Sequence, residues 1–238
     1  MLTVLVLVPQ LVSAQTAGGG SSNKPAVGVA VKASTFGIGV DAAVRVHSKV
    51  NLRGGFNFFS FSHDFDDTEN NIVYAGNLKM RSVAATLDWF PFGGGFHLSP
   101  TFVITNGNKA TLSSVIPAGK TIDIDDTEYR SSATDPIKVA GEVSFKNARP
   151  GILLGFGNIA GGRRVTVPFE IGVIFASAPV GTLAFTGTAC QTNGLNCRNV
   201  ATDPTIQNDV KNAQLELNDT IKPLRFYPVL SLGLSFRF

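Results

Sequence analysis

The sequence predicts an all-β fold, an eight-stranded antiparallel up-and-down transmembrane β-barrel with one amphipathic helix before the last strand. Three observations predict it. Apolar and polar residues alternate in short segments along most of the chain, no stretch of about twenty apolar residues occurs, and short and long connections follow each other in turn. A period of two indicates strands with two different faces, and in hydrocarbon only helices or closed sheets pair every backbone group.

Composition agrees with strands that face lipid. Charged residues make up 16% of the 238 residues, against about a quarter in ordinary soluble domains, and 18 Phe dominate the aromatic residues. The formal net charge is only +3 and no basic block occurs, which argues against a nucleic-acid partner. The chain is long enough for one barrel, and no linker to a second domain is found.

The amino terminus predicts export. Residues 2–8 form a short apolar run, and Val12-Ser13-Ala14 fits the small-residue cleavage site of a secretory signal peptide, which we assign to residues 1–14. No Lys or Arg precedes the run, so either the signal is atypical or the true start lies upstream. We expect residues 15–25 to be flexible and residues 26–238 to form the barrel domain.

The alternation predicts eight strands, at about 27–33, 36–46, 50–58, 73–92, 96–105, 137–157, 165–175 and 226–238. The phase changes at Ser34-Thr35, so residues 27–46 form either two strands in a tight hairpin or one strand with a bulge. A second phase change at Arg149-Pro150 predicts a bulge in the sixth strand. Connections 47–49, 93–95 and 158–163 are short, whereas 62–72, 113–136 and 186–225 are long, which is the order of periplasmic turns and extracellular loops.

One segment, residues 203–222, breaks the strand pattern. Asp203-Pro204 is a helix start, apolar residues recur at helical spacing as far as Ile221, and Pro223 ends the run. The segment therefore predicts an amphipathic helix of about five turns. We expect it to pack on the barrel rim or to cap the barrel mouth, and a partner-binding helix is the alternative.

The last strand carries a terminal Phe238, an aromatic Phe236 two residues earlier and apolar residues at every second position before them. This pattern resembles the closing strand of bacterial outer-membrane β-barrels. The resemblance implies that Phe236 and Phe238 are the signal that the barrel-assembly machinery reads. With the segments Asp88-Trp-Phe-Pro-Phe92 and Tyr227-Pro-Val229, the chain resembles a group of small, functionally unassigned proteobacterial barrels. The resemblance implies that the protein is located in the outer membrane of a Gram-negative cell, where membrane lipid and lipopolysaccharide are its partners. It does not predict an oligomeric state.

The inward face of the predicted barrel carries charges of both signs, at Lys32, Asp41, Arg45, Arg53, Asp88, Glu142, Lys146, Glu170 and Arg237. An eight-stranded barrel is just wide enough for its own side chains, and an isolated buried charge is costly, so we expect these charges to pair. The result would be a salt-bridged plug similar to that of the OmpA transmembrane domain. The alternative is a charged permeation path, in a narrow channel for small or hydrophobic molecules similar to OmpW-like barrels.

Two acidic segments share the spacing Asp-x-Asp-Asp-Thr-Glu and are predicted to lie in long loops on the same side of the barrel. Their carboxylates belong to Asp64, Asp66, Asp67, Glu69, Asp123, Asp125, Asp126 and Glu128. Clustered carboxylates favour a hard divalent ion, so the repeat predicts a site for Ca²⁺ or Mg²⁺, alone or shared with lipopolysaccharide phosphates. The alternative is that acidic, solvated loops recur by composition, because neither has the glycine of an EF-hand loop.

The remaining candidates for chemistry are few. His97-Leu98-Ser99 has the His-x-Ser spacing of outer-membrane lipid A deacylases, but it lies at the periplasmic end of its strand, and we expect His97 to form hydrogen bonds in the lumen. Cys190 and Cys197 predict one disulfide in an exported protein rather than a zinc site. The sequence therefore predicts no enzyme and no organic cofactor, but a structural or surface-interaction role.

Overall fold

The computed structural model describes residues 26–68 and 71–238 and contains a closed antiparallel barrel of eight strands. The predicted fold class is therefore confirmed. The predicted signal peptide, residues 1–14, and the predicted flexible segment, residues 15–25, lie outside the described residues.

The elements in chain order are β1 (Val27–Ser34), β2 (Gly37–His47), β3 (Val50–Asp67), β4 (Ile72–Trp89), β5 (Phe96–Asn106), β6 (Lys109–Val115), β7 (Thr121–Ile124), β8 (Thr127–Ser131), β9 (Lys138–Ser144), β10 (Arg149–Phe156), β11 (Val165–Thr166), β12 (Phe169–Phe175), β13 (Val180–Thr186), β14 (Thr188–Cys190), β15 (Arg198–Asn199), α1 (Pro204–Ile221), a 3-10 turn (Lys222–Arg225) and β16 (Phe226–Arg237). The barrel closes in the order β1, β2, β3, β4, β5, β10, β12 and β16, and β16 pairs back onto β1. Short turns join β2 to β3 and β4 to β5 at one end, called the inner end, and the long connections leave from the outer end.

Residues 27–46 form two strands rather than one bulged strand. β1 and β2 pair in an unbroken antiparallel register from Val27 with Val44 to Ser34 with Gly37. The hairpin turns at Thr35-Phe36, and Gly37 has a φ of 95°, which is open to glycine at little cost. The phase change in the sequence is therefore the hairpin itself.

The predicted sixth strand, residues 137–157, is wrong as a single element. It is two strands, β9 and β10, separated by residues 145–148, where Ala148 adopts a φ of 60°. Pro150 lies in β10, opposite Phe102, and not in a bulge of a longer strand. β9 pairs with β6 and β13, whereas β10 pairs with β5 and β12, so the two halves belong to different parts of the sheet.

The three long connections carry much of the remaining structure. β3 and β4 continue past the barrel as a long hairpin, and β6, β9 and β13 pair in turn on the outer half of β4. A second sheet, β15-β14-β8-β7, and α1 pack on this continuation. We call all of these elements beyond the barrel, with β3 from residue 59 and β4 up to residue 80, the outer extension. Its core contains Ile72, Ile116, Ile124, Ile137, Phe185, Ala189, Val200, Ile206 and Val210.

Helix α1 confirms the prediction for residues 203–222. Asp203 caps it by accepting hydrogen bonds from the backbone N–H groups of Thr205 and Ile206, at 3.0 and 3.1 Å. The bond from Ile206, with the nearby Arg198 guanidinium, lowers the pKa of the Asp203 carboxyl. Val210 is buried with Ile206 in the core, so the helix packs on β13 and β7 of the outer extension. Within the described part of the chain, no helix is long and apolar enough to cross a membrane.

The apolar face of β3 changes sides where the strand leaves the barrel. Up to Phe58 the outward residues are apolar and the inward ones polar, as with Leu52 and Arg53. From Phe59 onwards, Phe59, Phe61 and Phe65 continue the inward positions, and Ser60, Ser62, Asp64 and Asp66 continue the outward ones. The pairing of β3 with β4 is unbroken from Val50 to Asp67, so no bulge causes the change. The barrel therefore has an apolar exterior, and the outer extension has a polar exterior with an apolar inner face.

Candidate functional site in the barrel lumen

A cluster of charged side chains occupies the middle of the barrel and centres on Arg53. Its guanidinium contacts the carboxylates of Asp41 at 3.0 Å, Asp88 at 2.8 Å and Glu170. Lys32 holds the other side of Asp41, with 2.8 Å between Nζ and Oδ1. The five residues come from β1, β2, β3, β4 and β12, so the cluster exists only when the barrel is closed.

Two side chains of β5 contact further atoms of this cluster. Ser99 donates a hydrogen bond to Asp88 Oδ1 at 2.7 Å, and His97 Nε2 lies 3.4 Å from Glu170 Oε1. Both residues point inward from β5, as their spacing predicts, and both are buried. Because buried charges are costly without partners, these contacts are what allow the ionised groups to stay in the lumen.

Apolar layers close the lumen on both sides of the charges. Towards the outer end lies a cluster of Phe36, Val103, Leu153, Ile174 and Val229, with Tyr227 packed against it. Towards the inner end, the turn after β10 folds into the lumen, where Asn158 accepts a hydrogen bond from Asn51 at 2.8 Å. Ile159 and Ala160 of this turn are buried against Ala30 and Ala43. The cavity between the charges and the outer apolar layer measures only about 40 Å³, room for a water molecule rather than a solute.

The structure brings five of the nine predicted lumen charges together and spreads the others. Arg45 and Arg237 point inward near the inner end, half-buried, and the Arg45 guanidinium lies against Gly161. Glu142 and Lys146 require correction. Glu142 lies on the polar exterior of the outer extension, half-exposed and 3.2 Å from Lys109 Nζ. Lys146 lies exposed in the segment between β9 and β10.

Alternation alone could not place Glu142 on the correct side of the sheet. Glu142 alternates with Val139 and Val143 as predicted, but β9 belongs to the outer extension, where the polar face is the outside. Alternation assigns residues to a shared face and does not state which face is enclosed. For His97 and Ser99, which complete the cluster, the alternation of β5 does predict the inward face correctly.

Within the described residues, the acidic repeat forms no group of three potential metal ligands close to one another. Asp64, Asp66 and Asp67 lie within β3 rather than in a loop, a correction that follows from the continued hairpin. Asp123 and Glu128 face each other across β7 and β8, and the turn between these strands holds Asp125 and Asp126. Glu69 lies outside the described residues. The Asp125 carboxylate instead accepts a hydrogen bond from Asn212 of α1 at 3.1 Å, so a Ca²⁺ or Mg²⁺ site remains a prediction.

The one described group of three potential metal ligands within 4.8 Å of one another is Asp88, His97 and Glu170. Arg53 already lies against both of these carboxylates, so a cation occupies the position that a metal ion would take. His97 and Ser99 are equally inaccessible to a lipid substrate, because both are buried inside the barrel. Neither metal binding nor hydrolysis gains support from this geometry.

Two further predicted features lie away from the lumen. Cys190 and Cys197 form the predicted disulfide, which closes the loop after β14. At the chain end, the rings of Phe236 and Phe238 pack 5.2 Å apart on the barrel exterior, and the Phe238 N–H donates to the carbonyl of Val27 at 2.9 Å. The carboxy terminus thus lies at the closure between the first and last strands.

Comparison with known proteins supports the fold. No protein-family model matches the sequence, and no curated protein matches it significantly. The crystal structure of Acinetobacter baumannii CarO is 20% identical, covers 89% of this chain and 97% of its own, and has a TM-score of 0.56. That of Acinetobacter baumannii CarO2 is 17% identical, covers 91% and 100%, and also has a TM-score of 0.56. At these identities the likeness establishes a shared barrel fold with two outer-membrane proteins.

Proposed function

We propose that this chain is an integral outer-membrane barrel protein with a closed lumen, whose role is structural or consists of interactions at the cell surface. The observation that carries the proposal is the inverted arrangement of the barrel, in which charges are buried inside and apolar residues are exposed outside. In water this arrangement would be unfavourable, whereas in a bilayer both parts are in their preferred surroundings.

The apolar exterior is continuous around the barrel. Each of the eight strands contributes outward residues that the protein itself leaves exposed, among them Val31, Val40, Leu52, Leu87, Phe102, Leu154, Ile171 and Leu232. Soluble monomers rarely expose contiguous apolar patches larger than a few hundred Å². Lipid chains would cover this belt, with the short turns in the periplasm and the outer extension beyond the membrane.

The layered lumen supports a closed barrel rather than the alternative of a narrow channel. A solute would have to displace the turn after β10, the Arg53 cluster and the apolar layer around Phe36 in succession. With the lumen closed, the parts of the molecule that can meet other molecules outside are those of the outer extension. A structural or surface-interaction role fits this arrangement better than permeation.

Membrane fractionation and single-channel recording test the proposal. The exported protein should be recovered in the outer-membrane fraction and should migrate faster on gels when unheated, because a folded barrel resists the detergent. In planar bilayers it should show no discrete conductance steps. Recovery of folded protein from the soluble periplasm would contradict membrane insertion, and regular conductance steps would favour the channel.

A further inference from the structure

An apolar groove of about 510 Å³ lies on the inner face of the outer extension. Strand pairing aligns its floor in two rows across β3, β4, β6, β9 and β13. The first row is Phe61, Leu78, Ala110 and Val143, and the second is His63, Gly76, Leu112, Gly141 and Leu183. Phe61 is 51% and Leu112 40% exposed, so these side chains are uncovered in a water-exposed part of the molecule.

The groove is bounded on three sides. The next row outward includes Tyr74, Val139 and Phe185, which belong to or pack against the core beneath α1. On the side of β13, Leu217 of α1 lies so close to Gly181 that an added Cβ would come within 2.8 Å of its side chain. Below the groove lies the barrel with its closed lumen. On one side of the groove, the same sheet face is therefore covered by the core beneath α1. On the other side it is enclosed by the barrel, and the two apolar rows between these parts remain open.

Glycines deepen the floor. A Cβ added at Gly141 would find Leu183 Cδ2 at 3.4 Å as its nearest atom, so the space above this position is free. At Gly76 an added Cβ would meet the ring of Phe65 at 2.7 Å. Glycine inside a strand weakens the sheet, and it often indicates where a ligand or another backbone approaches closely. The ring of Phe65 accounts for the glycine at position 76, so Gly141 is the floor position at which a glycine favours an occupant.

Size and chemistry limit the occupant. The volume lies within the range of small-molecule sites, about 300–1,000 Å³. Two ionisable residues line the groove. The ring centroid of His63 lies 6.0 Å from that of Phe61 and 4.9 Å from that of Phe65, and the Glu142 carboxylate is paired with Lys109 Nζ at 3.2 Å on the polar exterior. The other lining side chains carry no charge. The occupant is therefore a small and uncharged apolar group.

We propose that the groove binds the alkyl chain of a small single-chain amphiphile that arrives from the water outside the cell. The apolar face of β3 changes sides at Phe58-Phe59, and the groove lies on the outer side of this point. A molecule from the water outside the cell can therefore reach it. Among the described residues, β3 pairs with β2 only as far as Phe58, so the groove also opens along the outer part of β3. This inference deepens the proposed surface-interaction role and rests on the placement of the outer extension outside the membrane.

Photolabelling in lipid nanodiscs tests the inference. The probe is dodecanol that carries a diazirine near the end of its chain, and the labelled residues are mapped by peptide mass spectrometry. Saturable labelling is expected on residues 61–65, 76–78 and 110–112, and excess unlabelled dodecanol should remove it. Probe dissolved in the bilayer will also label the barrel exterior, without saturation, which reports membrane insertion independently.

Matched variants make the outcome decisive. Gly141→Leu fills the groove and should raise the half-saturating probe concentration at least about tenfold, because its side chain takes the place of about four chain carbons. Leu112→Asn should weaken labelling in the same direction if Gly141→Leu fails to fold. Ser113→Leu, on the opposite face of the same strand, should change nothing.

Two outcomes would overturn the proposal, and a third would overturn the proposed membrane insertion alone. Groove labelling that does not saturate, or that persists unchanged in folded Gly141→Leu, would show that no site exists. A cross-linked dimer that protects the groove would mean that a second copy covers it. Loss of labelling on the barrel exterior, with groove labelling intact, would refute membrane insertion but not the groove.

Discussion

Arg53→Met is the sharpest test of the closed lumen, because one guanidinium contacts three carboxylates. In the folded protein the cluster contains three carboxylates, of Asp41, Asp88 and Glu170, and two side-chain cations, Arg53 and Lys32. Removal of Arg53 increases the excess of buried negative charge from one to two. Asp41 keeps Lys32 as a partner, so the loss falls mainly on Asp88 and Glu170.

The buried environment of Arg53 determines the expected loss of stability. Breaking a buried ion pair by removing one partner costs about 3–5 kcal/mol, since the remaining charge stays in a poorly solvated site. We therefore expect the free energy of unfolding to fall by about 3–5 kcal/mol in Arg53→Met. The double variant Arg53→Met/Glu170→Gln removes one charge of each sign, so its loss should be smaller than the sum of the single losses by about 1–3 kcal/mol.

The assay is urea unfolding in lipid vesicles, followed by the fluorescence of Trp89, the single tryptophan of the sequence, which faces outward from β4. Arg81→Met is the matched control, because Arg81 is exposed and lies 5.9 Å above the ring of Phe56. It should cost no more than about 1 kcal/mol. A loss below about 1 kcal/mol for Arg53→Met, or strict additivity in the double variant, would refute the reasoning from a buried, coupled cluster.

Three further predictions concern other parts of the molecule. Replacing Cys190 and Cys197 with Ser should destabilise the outer extension by about 2–3 kcal/mol, because the disulfide no longer offsets the entropy of closing a loop of this length, and should leave the barrel intact. Hydrogen exchange at residues 188–199 measures this loss, and unchanged protection would contradict it. Burial and the hydrogen bond that Tyr129 donates to Asp209 at 2.6 Å raise the pKa of Tyr129 to about 12. The stability from this contact is complete below pH 10 and is lost as the pH rises through 12, so alkaline loosening of α1, followed by circular dichroism, should be weaker in Tyr129→Phe. Deleting Phe238 removes a hydrogen bond and a ring contact at the closure of the barrel and should lower the folded yield in the outer membrane, measured by heat-modifiable gel migration; a full yield would argue against an assembly role.

Local patterns were sufficient for much of the fold. Alternation with a period of two predicts the barrel strands, and helical spacing between Asp203 and Pro223 predicts α1, because each signal is contained in a few consecutive residues. The same alternation placed Lys32, Asp41, Arg53, Asp88 and Glu170 on the lumen face. Their distances to one another depend on which strands are neighbours, and the closed sheet alone determines these.

The sequence by itself determined which residues share a face, and the tertiary structure decided what each face meets. Glu142 and Arg53 alternate with apolar neighbours in the same way, yet Arg53 is enclosed in the barrel and Glu142 lies on the exterior of the outer extension. The acidic repeat likewise looks the same in both copies, but the first lies in a strand and the second around a turn. The physical reason is that alternation is a property of the strand, whereas inside and outside depend on sheet closure and on whether lipid, water or other side chains surround it.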